Sequence, residues 1–169
     1  VRQGALEIGR YLLKKGYHQW GYLQGPRGVF SSDEHNRGLR ASLQEAGGKA
    51  VSLESVRAGF QEEQGYAATA SLFARGRPDA IVAINDLVAI GAYRYLKEHD
   101  IKVPSDVGLV GFSDLKHMDI LEVPLTTVRE PVREIGEKAV DVLFQELNHP
   151  GLARHQVVLT PELVVRGSV

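Results

Sequence analysis

With 169 residues, 43% of them hydrophobic and 24% charged, the chain is long enough for one domain with a real apolar core. A formal net charge of −1 gives it no bulk attraction for nucleic acid or for an anionic membrane surface. It holds no cysteine, so disulfides and thiolate metal sites are excluded, and no apolar run or signal-peptide pattern suggests a membrane span or secretion, which makes the cytoplasm the default location.

The first element in the chain is a helix starting almost at Val1, with Ala5, Ile8, Leu12 and Leu13 on one face and Gly16 placed to end it. An α/β domain commonly opens on a strand, so this is an unusual beginning. Residues 20–23 are a short strand candidate, followed by the loop Gln24-Gly25-Pro26-Arg27-Gly28. Ser31 or Ser32 is placed to cap the next helix, which runs to about Ala46 and stops at Gly47-Gly48. Residues 50–53 read as a strand. A loop through Gly59-Phe60 then leads to a helix over about 61–74, ended by Arg75-Gly76-Arg77-Pro78.

The most informative stretch is 78–114. Residues 80–84 (AIVAI) are almost wholly apolar, which suits a strand buried on both faces of a parallel sheet. Asn85-Asp86 offers a cap, and Val88, Gly91, Ala92, Tyr95 and Leu96 then fall on one face of a helix. Residues 107–112 are a second apolar run. Strand, helix and strand in so short a space make a βαβ unit with a right-handed crossover. Beyond Ser113 the pattern loosens. Residues 113–122 are mixed and 125–128 are a short strand candidate. Pro131 suits a first helical position, and Val132, Ile135, Ala139, Val142, Leu143 and Leu147 trace an amphipathic helix. Residues 156–159 and 162–165, separated by Thr160-Pro161, read as a closing strand pair or one bent strand.

The fold expected is therefore α/β, a parallel sheet flanked by helices. Open sheets of this kind bind ligands outside the carboxyl ends of their strands. The residues at those ends are Ser31 and His35, Phe60, Asn85, and Ser113 with Asp114. Hydrogen-bonding groups plus one aromatic ring, arriving from four loops, suit a site for a small polar molecule. The competing reading is local: Ser31 and Asn85 merely cap helices, and Phe60 packs on the core.

Enzymatic motifs are missing. Gly25 and Gly28 do not complete a G-x-G-x-x-G turn, and neither a G-x-x-x-x-G-K-[ST] loop nor a G-x-S-x-G elbow is present. His117 near Asp114 and Asp119 is the nearest approach to metal-ligand spacing and reads as a solvated surface. Basic residues are interspersed with acids and form no recognition helix, so this chain alone is not expected to bind DNA specifically. No catalytic residue, cofactor or metal is expected.

The stretch 78–114, then VPLTTVREPVREIGEKAVDVLF and LTPELVVRGS, together resemble the lactose/galactose repressor family of bacterial transcription regulators. GYHQWGYLQGP and GFQEEQGYAATASLF match as well, so the resemblance spans essentially the whole chain. It implies a periplasmic-binding-protein-like, two-lobed core that senses a small sugar-like effector between its lobes, forms a homodimer, and reaches operator DNA through a helix-turn-helix headpiece outside this chain. Residues 1–125 would be the carboxyl-terminal lobe, 126–150 a segment returning to the amino-terminal lobe, and 151–169 the closing strands. Ser31, His35, Phe60, Asn85 and Ser113 fall on the family's effector contacts, with Glu130 and Val132 near the return between lobes. His35 stands where an arginine is common and Ser113 where an aspartate is common. An Arg–Asp pair grips vicinal hydroxyls through charge-assisted bonds, and His with Ser grips them less strongly. Leu87, Ile90, Arg94, Leu115, Met118 and Leu121 fall on the dimer face. A transport-type sugar-binding lobe is the alternative.

Overall fold

The computed structural model describes residues 1–47, 51–116, 121–149 and 156–169. Helix α1 (Arg2–Lys15) opens the chain and ends where Gly16 turns left-handed at φ 86°, as its position predicts. Then come β1 (Gln19–Gln24), α2 (Phe30–Glu45), β2 (Ser52–Arg57), α3 (Glu62–Phe73), β3 (Ala80–Ala83), α4 (Asp86–Glu98) and β4 (Gly108–Val110). The order across the sheet is β2-β1-β3-β4, all parallel. Strand β5 (Thr127–Arg129) runs parallel beside the end of β4 through bridges Val110–Thr126 and Ser113–Arg129, and β6 (Glu162–Val164) pairs antiparallel with β5.

Alternation along the strands separates two cores. Trp20, Tyr22, Val82 and Val110 face α1 and α2, where Ala5, Ile8, Leu12 and Leu39 are buried. Leu23, Ile81, Ala83 and Leu109 face α3 and α4, where Ala68, Leu72, Val88, Ala92 and Leu96 are buried. Strand β3 is buried at all four positions, as its unbroken apolar run requires. The α3–α4 crossing is close enough that a methyl on Gly65 would collide with the Val88 backbone, and one on Gly91 with the Glu62 backbone.

Several boundaries differ from the sequence reading. Neither serine caps α2: Val29 precedes the helix with no side-chain cap bond, and Ser31 and Ser32 lie inside its first turn. The reason is the loop's conformation, which starts the helix at Phe30, so the hydroxyls lie past the cap position at Val29. Strand β2 begins at Ser52; Ala50, where it was expected, and Gly48 lie outside the described residues. Pro131 stands just before α5 (Val132–Asn148) rather than inside it. Residues 156–159 form no strand, so the closing pair reduces to β6.

Helix α5 buries none of its side chains. Val132, Leu143, Phe144 and Leu147 are between 55% and 67% exposed, although the helix is plainly amphipathic. No described helix is long and apolar enough to cross a membrane.

Candidate functional site

Strand order reverses between β1 and β3, since β1 leads outward to β2 and β3 leads the other way to β4. The crevice at such a switch point is where open α/β sheets take ligands. Four loops converge there. At the end of β1, Gly25 is packed so tightly that a side chain would strike Ser32 Oγ and press on Phe60 and Ile84. Only glycine lets α2, the Phe60 loop and the end of β3 meet at that point. Arg57 Nη1 donates to the Gly25 carbonyl at 3.0 Å and fixes the loop from the β2 side.

Phe60 and Asn85 are joined directly. Asn85 Oδ1 accepts from the Val88 N–H at 2.8 Å, the expected helix cap, while its Nδ2 donates to the Phe60 carbonyl at 3.0 Å. Gln64 Oε1 accepts from the N–H groups of Phe60 and Gln61, both at 3.0 Å. Asn85 therefore is a cap and a brace at once, with one N–H and one lone pair left for anything at the rim.

His35 sits lower than expected. Its ring is fully buried, stacked on Tyr22 at 5.2 Å and met edge-on by Phe112 at 5.0 Å. Burial pushes its pKa down to about 3, so the imidazole is neutral. Both ring nitrogens lack a protein partner, as do the buried Ser32 Oγ and Tyr22 hydroxyl. Ser31, one residue from Ser32, is half-buried in the same turn.

The other side of the crevice is built on Asp86. Its N–H donates to the Phe112 carbonyl at 3.0 Å, joining the ends of β3 and β4. Its buried carboxylate accepts from Thr127 Oγ1 at 2.6 Å and from the Leu115 N–H at 2.8 Å. Burial raises the Asp86 pKa, and those two bonds partly offset it. Ser113 donates its N–H to Val128 at 2.8 Å and bridges to Arg129, which brings it beside Glu130. The structure thus joins Phe60 to Asn85 and Ser113 to Arg129, and Asp86 links the ends of β3 and β4 between them. Val132 is set apart: it is 67% exposed at the start of α5.

Sequence reasoning missed Gly25, Ser32 as a buried group, and Asp86. The Asn85-Asp86 pair looked like two versions of one cap, and only the fold gives each carboxamide and carboxylate its own partner. Glu130 also lines a groove of about 570 Å³ with Ile135, Val142, Val157 and Val158, between α5 and residues 157–161. Among the described residues no three His, Asp or Glu side chains are grouped to hold a metal ion.

On the expected dimer face, Leu87, Ile90 and Leu121 are half-buried and Leu115 is exposed. Arg94 is occupied within the chain, bonded to Glu62 at 2.7 Å and lying over the Tyr66 ring. Met118, His117 and Asp119 lie outside the described residues.

Residues 10–169 match the family model described as a periplasmic binding protein-like domain. The ribose operon repressor of Escherichia coli (strain K12) is 32% identical over 160 residues, covering 94% of this chain and 48% of that protein. The lactose operon repressor of Rhizobium radiobacter is 44% identical over 107 residues, covering 63% of this chain and 94% of that protein. A LacI family transcriptional regulator from Mycobacterium smegmatis superposes with a TM-score of 0.88 at 29% identity, covering 99% of this chain and 63% of that one. One from Enterococcus faecium, solved with bound ribose, gives 0.90 at 22% identity and 99% and 62% coverage, a likeness of fold. The chain spans about half the length of most of the curated relatives it matches.

Proposed function

Since the chain belongs to the LacI family of periplasmic binding protein-like regulators, we propose that it is the carboxyl-terminal lobe of an effector-sensing core. It supplies one jaw of a clamp for a small, polar, sugar-like solute. Phe60 covers an apolar face of that solute, and Asn85, Ser113 and Ser31 meet its hydroxyls, with Glu130 and Val132 at the edge facing the opposite jaw. His35, fully buried beneath the rim, supports it through Tyr22 and Phe112 and does not touch the solute. The reading involves reversible binding and no bond-breaking step. Residues 126–150 pass to the opposite lobe, and α5 gains its cover there. Operator DNA is reached through a separate headpiece, and two copies pair through Leu87, Ile90, Arg94 and the 115–121 segment.

The observation that supports this reading is the bond between Asn85 and Phe60 at the ends of β3 and β2, with Ser113, bridged to Arg129, beyond the end of neighbouring β4. Because His35 and Ser113 are both neutral, the solute is held without the charge-assisted grip of an arginine–aspartate pair. Simple aldoses should therefore bind more weakly than micromolar.

A thermal-shift screen of sugars and related polar metabolites against the intact protein containing this chain is the test. A true effector at 100 times its Kd stabilises the folded state by about 2.7 kcal/mol. Phe60→Ala and Asn85→Ala should each abolish that shift. A hit whose stabilisation survives both substitutions would place the site elsewhere, and a micromolar aldose would overturn the weaker-grip argument.

A further inference from the structure

Two consecutive non-glycine residues take positive φ where β4 runs out onto the rim: Ser113 at 122° and Asp114 at 52°. L side chains rarely adopt such a backbone, and it persists only where the surroundings over-determine it. Here they do. Asp114 Oδ2 accepts from Arg129 Nε at 2.7 Å and Oδ1 accepts from Arg166 Nη2 at 2.7 Å. Arg166 is itself tied down, with Nη1 donating to the Leu125 carbonyl at 2.8 Å and its N–H to Thr126 Oγ1 at 2.9 Å. On the other flank the Leu115 N–H is held by Asp86. The Asp114 side chain is only 9% exposed, whereas Arg129 is half exposed. Burial alone would raise the Asp114 pKa, but its bonds to Arg166 and Arg129 outweigh burial and lower it, so the clamp is ionic at neutral pH.

A carboxylate beside Ser113 invites the idea that it stands in as an acceptor for solute hydroxyls. The geometry argues otherwise, because each oxygen is already aimed at a guanidinium on β5 or on the segment that follows β6. We propose that Asp114 is a positioning residue: held between Arg129 and Arg166, it fixes the turn that presents Ser113 to a bound solute, and it takes no solute hydroxyl itself. This deepens the reading of the rim as a binding site and rests on it.

Asp114→Asn keeps the shape and removes the charge, while Arg166→Met removes the clamp from behind and leaves Asp114 in place. Amide hydrogen exchange, read without any ligand, should accelerate about tenfold or more at Ser113 and Leu115 in both variants, with Ile8, Leu12 and Leu39 unchanged. Unchanged exchange at Ser113 and Leu115 in both variants overturns the proposal. Titration with D-ribose as the probe gives the second readout. Both variants should weaken it about tenfold, equivalent to about 1.4 kcal/mol. Were Asp114 the acceptor, freeing it through Arg166→Met would leave affinity intact or improve it, and that result overturns the proposal too. Weak, millimolar binding of D-ribose by the parent protein is what the neutral rim predicts; where binding is too weak to titrate, the exchange measurement by itself decides the role of Asp114.

Discussion

A neutral imidazole sealed between Tyr22 and Phe112 makes the fold sensitive to acid. Burial holds His35 near pKa 3 in the folded chain against 6.5 for the free side chain. The unfolded chain therefore takes up this proton first. Its contribution to stability is complete above pH 6.5 and is lost as pH falls from 6.5 toward 3. At pH 5 the loss is about 2 kcal/mol. Denaturant midpoints at pH 7 and pH 5 should show it, and His35→Phe should flatten that part of the profile. A parent chain equally stable at both pH values would contradict the burial of the ring. Asn85 shows a different residue-scale lesson, since its side chain serves the helix and the Phe60 loop together. Functional and capping readings of such a residue are not rivals.

Between elements, the decisive contact is the α3–α4 crossing. Gly65 and Gly91 let the two backbones approach, and α3 starts two residues after Phe60. Gly91→Ala should push the helices apart and cost about 1–3 kcal/mol, as overpacking does. It should also weaken effector binding by moving the Phe60 loop, although no substituted atom touches the rim. Chemical denaturation alongside ligand titration checks both effects, and a variant stable to within measurement error would contradict the close packing. Helix α5 behaves in the opposite way. Its apolar side chains stand exposed, and burying each would be worth about 1.5–3 kcal/mol. The 169-residue chain by itself should accordingly self-associate through this face. Leu143→Glu with Phe144→Glu should abolish the association in analytical ultracentrifugation without lowering the unfolding temperature. A monomeric parent chain would count against it.

For the molecule as a whole, the proposed sensing role needs a rigid connection between the rim and the proposed pairing face. Asp86 provides one, because it ties the ends of β3, β4 and β5 to the start of the 115–121 segment. Leu87 adjoins Asp86 on α4, and Leu115 donates its N–H to the Asp86 carboxylate. Leu87→Glu with Leu115→Glu should therefore split the proposed dimer of the intact protein, measured by sedimentation, while leaving the thermal unfolding of the lobe nearly unchanged. A dimer that persists would move the pairing face elsewhere. The family membership rests on a match over residues 10–169, and about half of the length of most matched relatives lies outside this chain.

The parallel βα architecture, the buried strand β3 and the Gly16 and Asn85 helix ends were legible in the amino-acid order. Each depends on interactions within a few residues, where side-chain periodicity and capping chemistry act directly. What the order left open was the long-range placement of groups. Ser31 and Ser32 looked like caps until the loop conformation started α2 at Phe30. His35 looked like a rim donor until Tyr22 on β1 and Phe112 just beyond β4 enclosed it. Asp86 reads from sequence as a helix cap and Asp114 as a rim group, and only the fold brings Thr127, Arg129 and Arg166, distant in the chain, to them as partners. Burial and pairing of a polar group are set by neighbours that only the assembled sheet brings within bonding distance, and this is why tertiary structure alone decided which of these polar groups are spent on the fold.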